Sequence, residues 1–324
     1  MSTFLVTGGA GFIGGHIAEL LVSEGHEVVV FDNFSTGREE NLAAIAARVR
    51  VVRGDIRDLN GLRSAMEGVD HVIHHAAEVS VVRSLEDPGF VHEVNVTGTL
   101  NVLIAAKDAG ARRVVLASSS AVYGDTGRVP QNESMVPDPL SPYGASKIAG
   151  EHYFSVFHHL HGMETVRLRY FNVFGPRQNP NSQYAAVIPK FIDRILKGQE
   201  LHIYGDGEQT RDFVFVENVA RANLLACTAP DAPGKVFNIA GGQSISVNEL
   251  AERLKALADS CLVGRGSRRA DVEIVHDPPI VGEIRYSLSD TRRAREVMGF
   301  EPAVGFDEGL ERTFRYFAAE AGAI

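Results

Sequence analysis

The sequence predicts an α/β protein, a doubly wound parallel sheet followed by a smaller mixed α/β lobe. Short apolar, β-branched runs alternate with longer stretches of helical spacing through the first half of the 324 residues. That rhythm gives parallel strands with helices on both faces, joined by right-handed crossovers. The strand runs are apolar almost throughout, as in strands covered on both faces. A glycine cluster joins the first strand to the first helix and marks the sheet as Rossmann-type.

In order, Phe4 to Thr7 reads as a strand and Phe12 to Ser23 as a helix ended by Gly25. Glu27 to Phe31, Val49 to Val52, Val69 to His74 and Arg113 to Ala117 read as further strands. Leu59, Leu62 and Met66, then Val94, Leu100 and Leu103, carry helical spacing between them. The rhythm breaks near residue 170. Asn172 to Tyr184, rich in Pro, Asn and Gln, reads as a long loop, and Ala185 to Leu196 as a helix. Gly205-Asp206-Gly207 is a turn. Phe213 to Val216 and Val236 to Ile239 are strands flanking a helix at Val219 to Cys227. Residues 246–258 and 306–319 are amphipathic helices. The expected division is a cofactor domain over 1–171 and a substrate lobe over 172–324, with about 212–240 returning to the first sheet.

A net charge of −9 offers no basic footprint for nucleic acid, so an anionic substrate must be met by a local Arg or Lys cluster. Two cysteines far apart, Cys227 and Cys261, exclude a disulfide scaffold and fit a reducing cytoplasm. No apolar run approaches the ~20 residues of a membrane-spanning helix. The N-terminal residues lack a basic segment before a long apolar core, so no signal peptide is expected. His158, His159 and His161 lie near a helix end without a carboxylate motif, and no metal site is expected. Arg265 to Arg269 reads as a solvated basic loop.

Gly9, Gly11 and Gly14 match G-x-G-x-x-G, and Gly8, Gly11 and Gly14 also give G-x-x-G-x-x-G, between the first strand and its helix. Glycine here permits the tight turn and lets backbone N–H groups approach a pyrophosphate at the helix N-terminus. The second strand leads into Asp32, whose carboxylate suits the two ribose hydroxyls of NAD and repels the 2′-phosphate of NADP. Asp55, after the third strand, suits the adenine side or the N-cap of the helix at Leu59. Tyr143 and Lys147, four apart at a helix start, share one face. An ammonium and a nicotinamide cation near the phenol would lower its pKa and make it a base toward a sugar hydroxyl. Ser118, Ser119 and Ser120 follow the fifth strand, where open α/β sheets bind ligand.

These residues resemble an extended short-chain dehydrogenase/reductase, most closely the UDP-hexose 4-epimerases. The resemblance runs over the Gly8–Gly14 turn, residues 32–37, His75-Ala76-Ala77, Asn95, the Ser run, Tyr143/Lys147, residues 169–172, Gly205-Asp206-Gly207 and residues 210–213. It implies NAD held by Gly8, Gly11, Phe12, Ile13, Gly14, Asp32, Asn33, Ser35, Thr36, Gly37, Asp55, Ile56, His75, Ala76, Ala77, Asn95, Ser118, Tyr143, Lys147, Tyr170 and Phe171. It implies Tyr143 as base, Lys147 as the residue that orients the ribose and tunes Tyr143, and Ser119 rather than Ser120 on the sugar O4. It implies a UDP-sugar substrate against Val79, Ser119, Ser120, Tyr143, Asn172, Ala186, Val187, His202, Tyr204, Gln209, Arg211, Arg285 and Ser287. A homodimer through helices 90–107 and 145–160 is implied, with no nucleic acid or membrane partner.

The chain departs from that pattern at Ile280, where the family carries a second diphosphate Arg. Arg285 or Arg177 is the expected substitute. In the resembled family the residue five positions after the Gly of a Gly-Asp or Gly-Glu pair flanks the hexose 2-substituent; counted from Gly282 the resemblance implies Ser287 there, with room for an N-acetyl group. The acidic pair that a 4,6-dehydratase carries after its Ser/Thr is replaced by Ser120 and Ala121. A nucleotide-sugar dehydratase, a UDP-glucuronate epimerase or decarboxylase, and a non-catalytic NAD sensor are therefore the weaker readings.

Overall fold

The structure is a computed structural model that describes residues 1–180, 186–262, 272–279 and 284–324. Among these the strands are β1 (Thr3–Thr7), β2 (Glu27–Asp32), β3 (Val49–Arg53), β4 (His71–His74), β5 (Arg113–Ser119), β6 (Glu164–Tyr170), β7 (Asn172–Phe174), β8 (Leu201–Tyr204), β9 (Thr210–Phe215), β10 (Val236–Ile239), β11 (Ser244–Ser246) and β12 (Ile274–Asp277). The helices are α1 (Phe12–Ser23), α2 (Leu59–Ala65), α3 (Val81–Glu86), α4 (Pro88–His92), α5 (Gly98–Asp108), α6 (Pro142–His161), α7 (Val187–Lys197), α8 (Val216–Thr228), α9 (Val247–Leu262), α10 (Arg292–Met298) and α11 (Phe306–Glu320).

Seven strands form one parallel sheet in the order β10-β6-β5-β4-β1-β2-β3. The chain moves outward from β1 to β3, then crosses back to β4 and runs outward the other way. That reversal opens a crevice at the carboxyl ends of β1 and β4, where such sheets bind ligands. Side chains alternate between two cores. Phe4, Val6, Val28, Val30 and Val115 pack with α1 and α8. Leu5, Val29, Val72, Val114 and Leu116 pack with α2, α5 and α6. Burial on both faces explains why these strands read as continuous apolar runs. On α6, Val156 and Leu160 are exposed.

The smaller lobe combines a three-stranded sheet, β11-β9-β7, with the β12-β8 pair and covers them with α7, α9 and α11. Here the structure departs from the sequence reading. The expected loop from Asn172 contains β7, which pairs with β9. Of the two strands expected to return to the large sheet, only β10 does so, against β6. The strand at Thr210–Phe215 stays in the small sheet, and the chain re-enters the large domain through α8. The start of the helix expected near Val94 is a π-helical segment, Glu93–Thr97, which continues into α5. Residues Glu39–Arg48 form a 3₁₀ helix that apolar spacing did not reveal. Arg265 to Arg269 and Ile280 to Glu283 lie outside the described residues.

Candidate active site

The glycine turn between β1 and α1 is built from close backbone approaches. Gly8 takes φ +68°, and a Cβ there would lie 2.8 Å from the Ala76 nitrogen. A Cβ on Gly14 would fall inside the carbonyl oxygen of Gly8 and 2.8 Å from Gly9 Cα. The first turn of α1 is thus pressed onto the loop that precedes it. Beside the loop, Asp32 is 7% exposed. It accepts from the Ala10 N–H at 2.9 Å and the Phe34 N–H at 2.8 Å. Burial raises its pKa, and those two N–H groups oppose the rise. Gly37 packs on this carboxylate so closely that a Cβ would stand 2.9 Å from Oδ1.

Asn33 Nδ2 donates to Asp55 at 3.0 Å, and Arg57 forks onto the same carboxylate at 2.9 and 2.8 Å. Asp55 is therefore held well below the usual carboxylate range, chiefly by Arg57. It does not cap α2: that cap is Asp58, which accepts from the Asn60 N–H at 3.0 Å. Ser35 donates its N–H to Asn33 Oδ1, which orders the 32–37 turn carrying Thr36. Phe12 and Ile13 open α1, and Ile56 is buried beneath Gly98 of α5.

His74 closes β4 and His75 follows it, in different environments. Thr99 Oγ1 donates to the Asn95 carbonyl at 2.6 Å, so it accepts from His74 Nε2–H at 2.9 Å. His74 Nδ1 is then the acceptor for Thr7 Oγ1 at 2.7 Å, and Thr7 Oγ1 in turn accepts the N–H groups of His75 and Ala76. This relay joins the end of β1, the His75-Ala76-Ala77 segment and α5, and it requires neutral His74. Burial pushes His74 down to about 3. A group depressed in the fold contributes stability above its unfolded pKa of about 6.5, and that stability is lost as pH falls toward the folded value. The urea midpoint is expected to drop between about pH 7.5 and about pH 5, and the drop to be smaller in His74→Gln. Equal drops in the two proteins would contradict this. His75 stacks on Tyr170 at 5.4 Å and bonds its hydroxyl at 2.9 Å, and Tyr170 donates on to Asn223 at 3.0 Å.

The predicted Ser, Tyr and Lys residues come together where β5 ends against α6. Lys147 Nζ donates to the Ala117 carbonyl at 3.0 Å and lies 5.7 Å from the Tyr143 ring centre. Burial pulls Lys147 down to about 8. Ser119 hydrogen-bonds the Tyr143 hydroxyl. It also accepts from the Ala121 N–H at 3.1 Å, which starts a 3₁₀ turn containing Ser120. The protein's own groups do not depress the Tyr143 phenol as expected from Lys147. Burial raises its pKa, Ser119 opposes the rise, and the Glu78 carboxylate adds to it. Ser118 also departs from expectation. Its hydroxyl donates to Glu151 at 2.6 Å, toward α6, which leaves its backbone to face a cofactor. Asn95 clamps Glu78 from both sides, accepting its N–H at 2.8 Å and donating to its carbonyl at 2.9 Å. Phe171 is buried with Val122, Tyr123 and Ala240.

The lobe supplies the facing wall. Asn172 Nδ2 donates to the Asp212 carbonyl at 3.3 Å, and Arg211 donates to the carbonyls of Thr210 and Ile284. Ala186 precedes Val187, the first residue of α7. His202 bonds Asp277 at 2.9 Å, and Gln209 donates to the carbonyl of exposed Tyr204 at 2.8 Å. Val79 is exposed, and Ser287 is 8% exposed. Neither expected substitute for the missing Arg is uncommitted. Arg285 forks onto Asp206 at 2.9 and 2.7 Å, and Arg177 forks onto Glu19 at 2.6 and 2.7 Å. A phosphate would have to displace a carboxylate from either one.

Sequence reasoning assigned no role to Asp212. It is buried, pushed up to about 6 by that burial, and accepts the N–H groups of Gly241, Gly242 and Ser289 at 2.9, 3.0 and 3.0 Å. It thereby ties β9, which carries Arg211, to the segment that carries Ser287. Among the described residues no group of three or more His, Cys, Asp or Glu could hold a metal ion, and no helix is long and apolar enough to cross a membrane.

Residues 4–240 match the model of the NAD dependent epimerase/dehydratase family. A putative UDP-glucose 4-epimerase of Methanocaldococcus jannaschii is 40% identical over 314 residues, 96% of this chain and 97% of its own. A dTDP-glucose 4,6-dehydratase of Streptomyces griseus is 37% identical over 97% of this chain and 93% of its own. The crystal structure of a UDP-glucose 4-epimerase from Thermotoga maritima with UDP-glucose superposes with a TM-score of 0.91 at 37% identity, covering 98% of this chain and 99% of that one. With its family model matched over residues 4–240 and relatives aligned over nearly its full length, this chain belongs to the NAD dependent epimerase/dehydratase family.

Proposed function

We propose that this chain interconverts UDP-hexoses at C4, by transient oxidation to a 4-keto sugar and reduction from the other face. The observation that carries this reading is the Ser119–Tyr143–Lys147 cluster at the β5–α6 junction, with Ser120 and Ala121 where a dehydratase has its acidic pair. Glu78 is the carboxylate coupled to Tyr143, but its oxygens accept from the Ser80 N–H and the Arg83 guanidinium, both at 3.0 Å. Its charge is thus already engaged, which argues against a role as acid toward C6.

The residues fit NAD. The Gly8–Gly14 turn leaves backbone room where any Cβ would intrude, and Asp32 keeps lone pairs beyond the two N–H groups that orient it. The chemistry that NAD supplies when bound is reversible acceptance of hydride from the sugar C4. Tyr143 takes the O4 proton as base and returns it. Ser119, bonded to the phenol, holds O4 within reach of it. Ser119 opposes the burial that raises the phenol pKa, and a positive cofactor ring beside the phenol would oppose it further. Asn172 and Arg211 hold the diphosphate end, which leaves the hexose free to present either face.

Incubation with UDP-glucose and with UDP-N-acetylglucosamine, read by the anomeric proton signals of the products, tests the reading. Formation of the C4 epimer is expected, and a 4-keto-6-deoxy sugar or a pentose product would overturn it. NAD rather than NADP is expected to co-purify, because the Asp32 carboxylate repels a 2′-phosphate. Mainly NADP in the supernatant of denatured protein, by mass spectrometry, would contradict that. Ser287 is buried beside the segment that meets Arg211, and its small side chain leaves room for an acetamido group. Ser287→Tyr is expected to remove activity on the N-acetylated sugar and spare the plain hexose. Equal loss on both sugars would refute the gate.

A further inference from the structure

Behind the Ser–Tyr–Lys cluster lies a buried ion pair, Glu151 and Arg169, neither of which is expected to meet the sugar or the cofactor. We propose that Glu151, held by Arg169, is a positioning residue that sets where α6 presents Tyr143 and Lys147. The inference rests on the reading of those two residues as the reacting pair.

Tyr143, Lys147 and Glu151 recur every four residues and share one face of α6. The strand opposite them ends in Ala117, Ser118 and Ser119. Each of the three helix residues meets a different one of the three strand residues. Tyr143 bonds Ser119, Lys147 donates to the Ala117 carbonyl at 3.0 Å, and Glu151 accepts from Ser118 at 2.6 Å. A helix advances ~6 Å over four residues and a strand ~3.3 Å per residue, so the three ties do not form a repeating ladder. Together they fix both the height and the rotation of the helix. Two of the ties run through groups that must respond to substrate. The Ser118–Glu151 tie does not.

That third tie is braced from the neighbouring strand. Arg169 of β6 stands opposite Ser118 in the parallel register. Its Nε donates to Glu151 Oε1 at 2.8 Å and its Nη2 to Oε2 at 2.7 Å. The fork fixes the plane of the carboxylate as well as its position. Both side chains are 4% exposed. The guanidinium lies over the Tyr123 ring at 4.7 Å, and Tyr123 donates to Asn238 of β10 at 2.6 Å. One anchor therefore spans β10, β6, β5 and α6. A rotation of α6 by about 10° would carry a phenol oxygen ~9 Å from the helix axis by roughly 1.5 Å. Misplacement on that scale costs about 10²-fold in rate.

The test uses the full-length protein with its bound NAD. Glu151→Leu/Arg169→Met replaces the buried pair by apolar side chains, a change that is often neutral to stability. Ser118→Ala leaves the pair intact and removes only its tie to β5. Both variants are expected to retain the parent's NAD content, with kcat about 10–100-fold lower for the double variant and KM within about threefold. A smaller kcat loss in the same direction is expected for Ser118→Ala. A folded, NAD-loaded double variant with kcat within about twofold of the parent would overturn the proposal. If the double variant does not fold, Ser118→Ala decides. Amide exchange over residues 143–149 supplies a readout without turnover: it is expected to quicken in both variants, and unchanged protection would overturn the anchor. A parent that epimerises no UDP-hexose would contradict the proposed function instead, and the exchange measurement would still decide the positioning role.

Discussion

Tyr143→Phe is expected to lower turnover by ~10²–10⁴-fold, the usual cost of removing a positioned general base. The substitution deletes one oxygen, the one that bonds Ser119. The ring remains to fill its place beneath Lys147, 5.7 Å from Nζ. The melting temperature and bound NAD should therefore stay near the parent's values. The remaining candidates at this end of β5 are poor substitutes. Ser119 has an ordinary hydroxyl, Lys147 is tied to the Ala117 carbonyl, and Glu78 is engaged by Ser80 and Arg83. Initial rates with UDP-glucose, set against NAD content, check the expectation. A variant with more than about a tenth of the parent's rate would remove Tyr143 from the role of base.

Gly14→Ala is expected to act through the cofactor. The added methyl would collide with the carbonyl oxygen of Gly8 and approach Gly9 Cα at 2.8 Å. Both are backbone atoms in a turn that other contacts fix. Gly8 itself lies against Ala76, and Gly11 donates its N–H to the Gly8 carbonyl at 3.1 Å. The strain cannot be relieved by a rotamer change, so a destabilisation of about 1–3 kcal/mol follows. Part of that strain should be relieved by lifting α1 from the loop, which spoils the N–H cradle of the turn. The expected result is protein purified largely without NAD, with a melting temperature below the parent's that added NAD only partly restores. A variant that retains the parent's NAD content and melting temperature would show the turn to be more compliant than its geometry implies.

Much of the large domain could be read from the chain because strands buried on both faces are continuous apolar runs and helices carry their own period. The exit into the small lobe could not be read in the same way. Phe213 to Val216 is equally apolar whether its strand joins the large sheet or the small one, and its actual partners, Asn172–Phe174 and Ser244–Ser246, are too short to carry a pattern. The cluster of Tyr143 and Lys147 was legible because both lie on one helix at a fixed spacing. The groups that support it were not. Glu151 meets Ser118 across 33 residues, His74 meets Thr7 across 67 and Asp212 meets Ser289 across 77. Such pairings are created by the sheet order, which local spacing does not encode. Arg169 and Asp212 both stood inside recognised motifs, yet their partners are Glu151 and the N–H groups of Gly241, Gly242 and Ser289, which those motifs do not announce. Of the two roles the sequence offered Asp55, the cap of α2 falls to Asp58, while Arg57 and Asn33 hold the Asp55 carboxylate.

The central claim is that C4 of a UDP-hexose is oxidised and reduced again within one closed site, with Tyr143 moving the O4 proton. Its most direct test is the fate of an isotope at C4. UDP-glucose carrying deuterium at C4 is incubated with the protein in ordinary water, and the C4 epimer is isolated and examined by NMR and mass spectrometry. The account predicts that the product keeps its deuterium at C4, because the hydrogen leaves as hydride to bound NAD and comes back without meeting solvent. Replacement of that deuterium by hydrogen from water, in an epimer otherwise correctly formed, would contradict it.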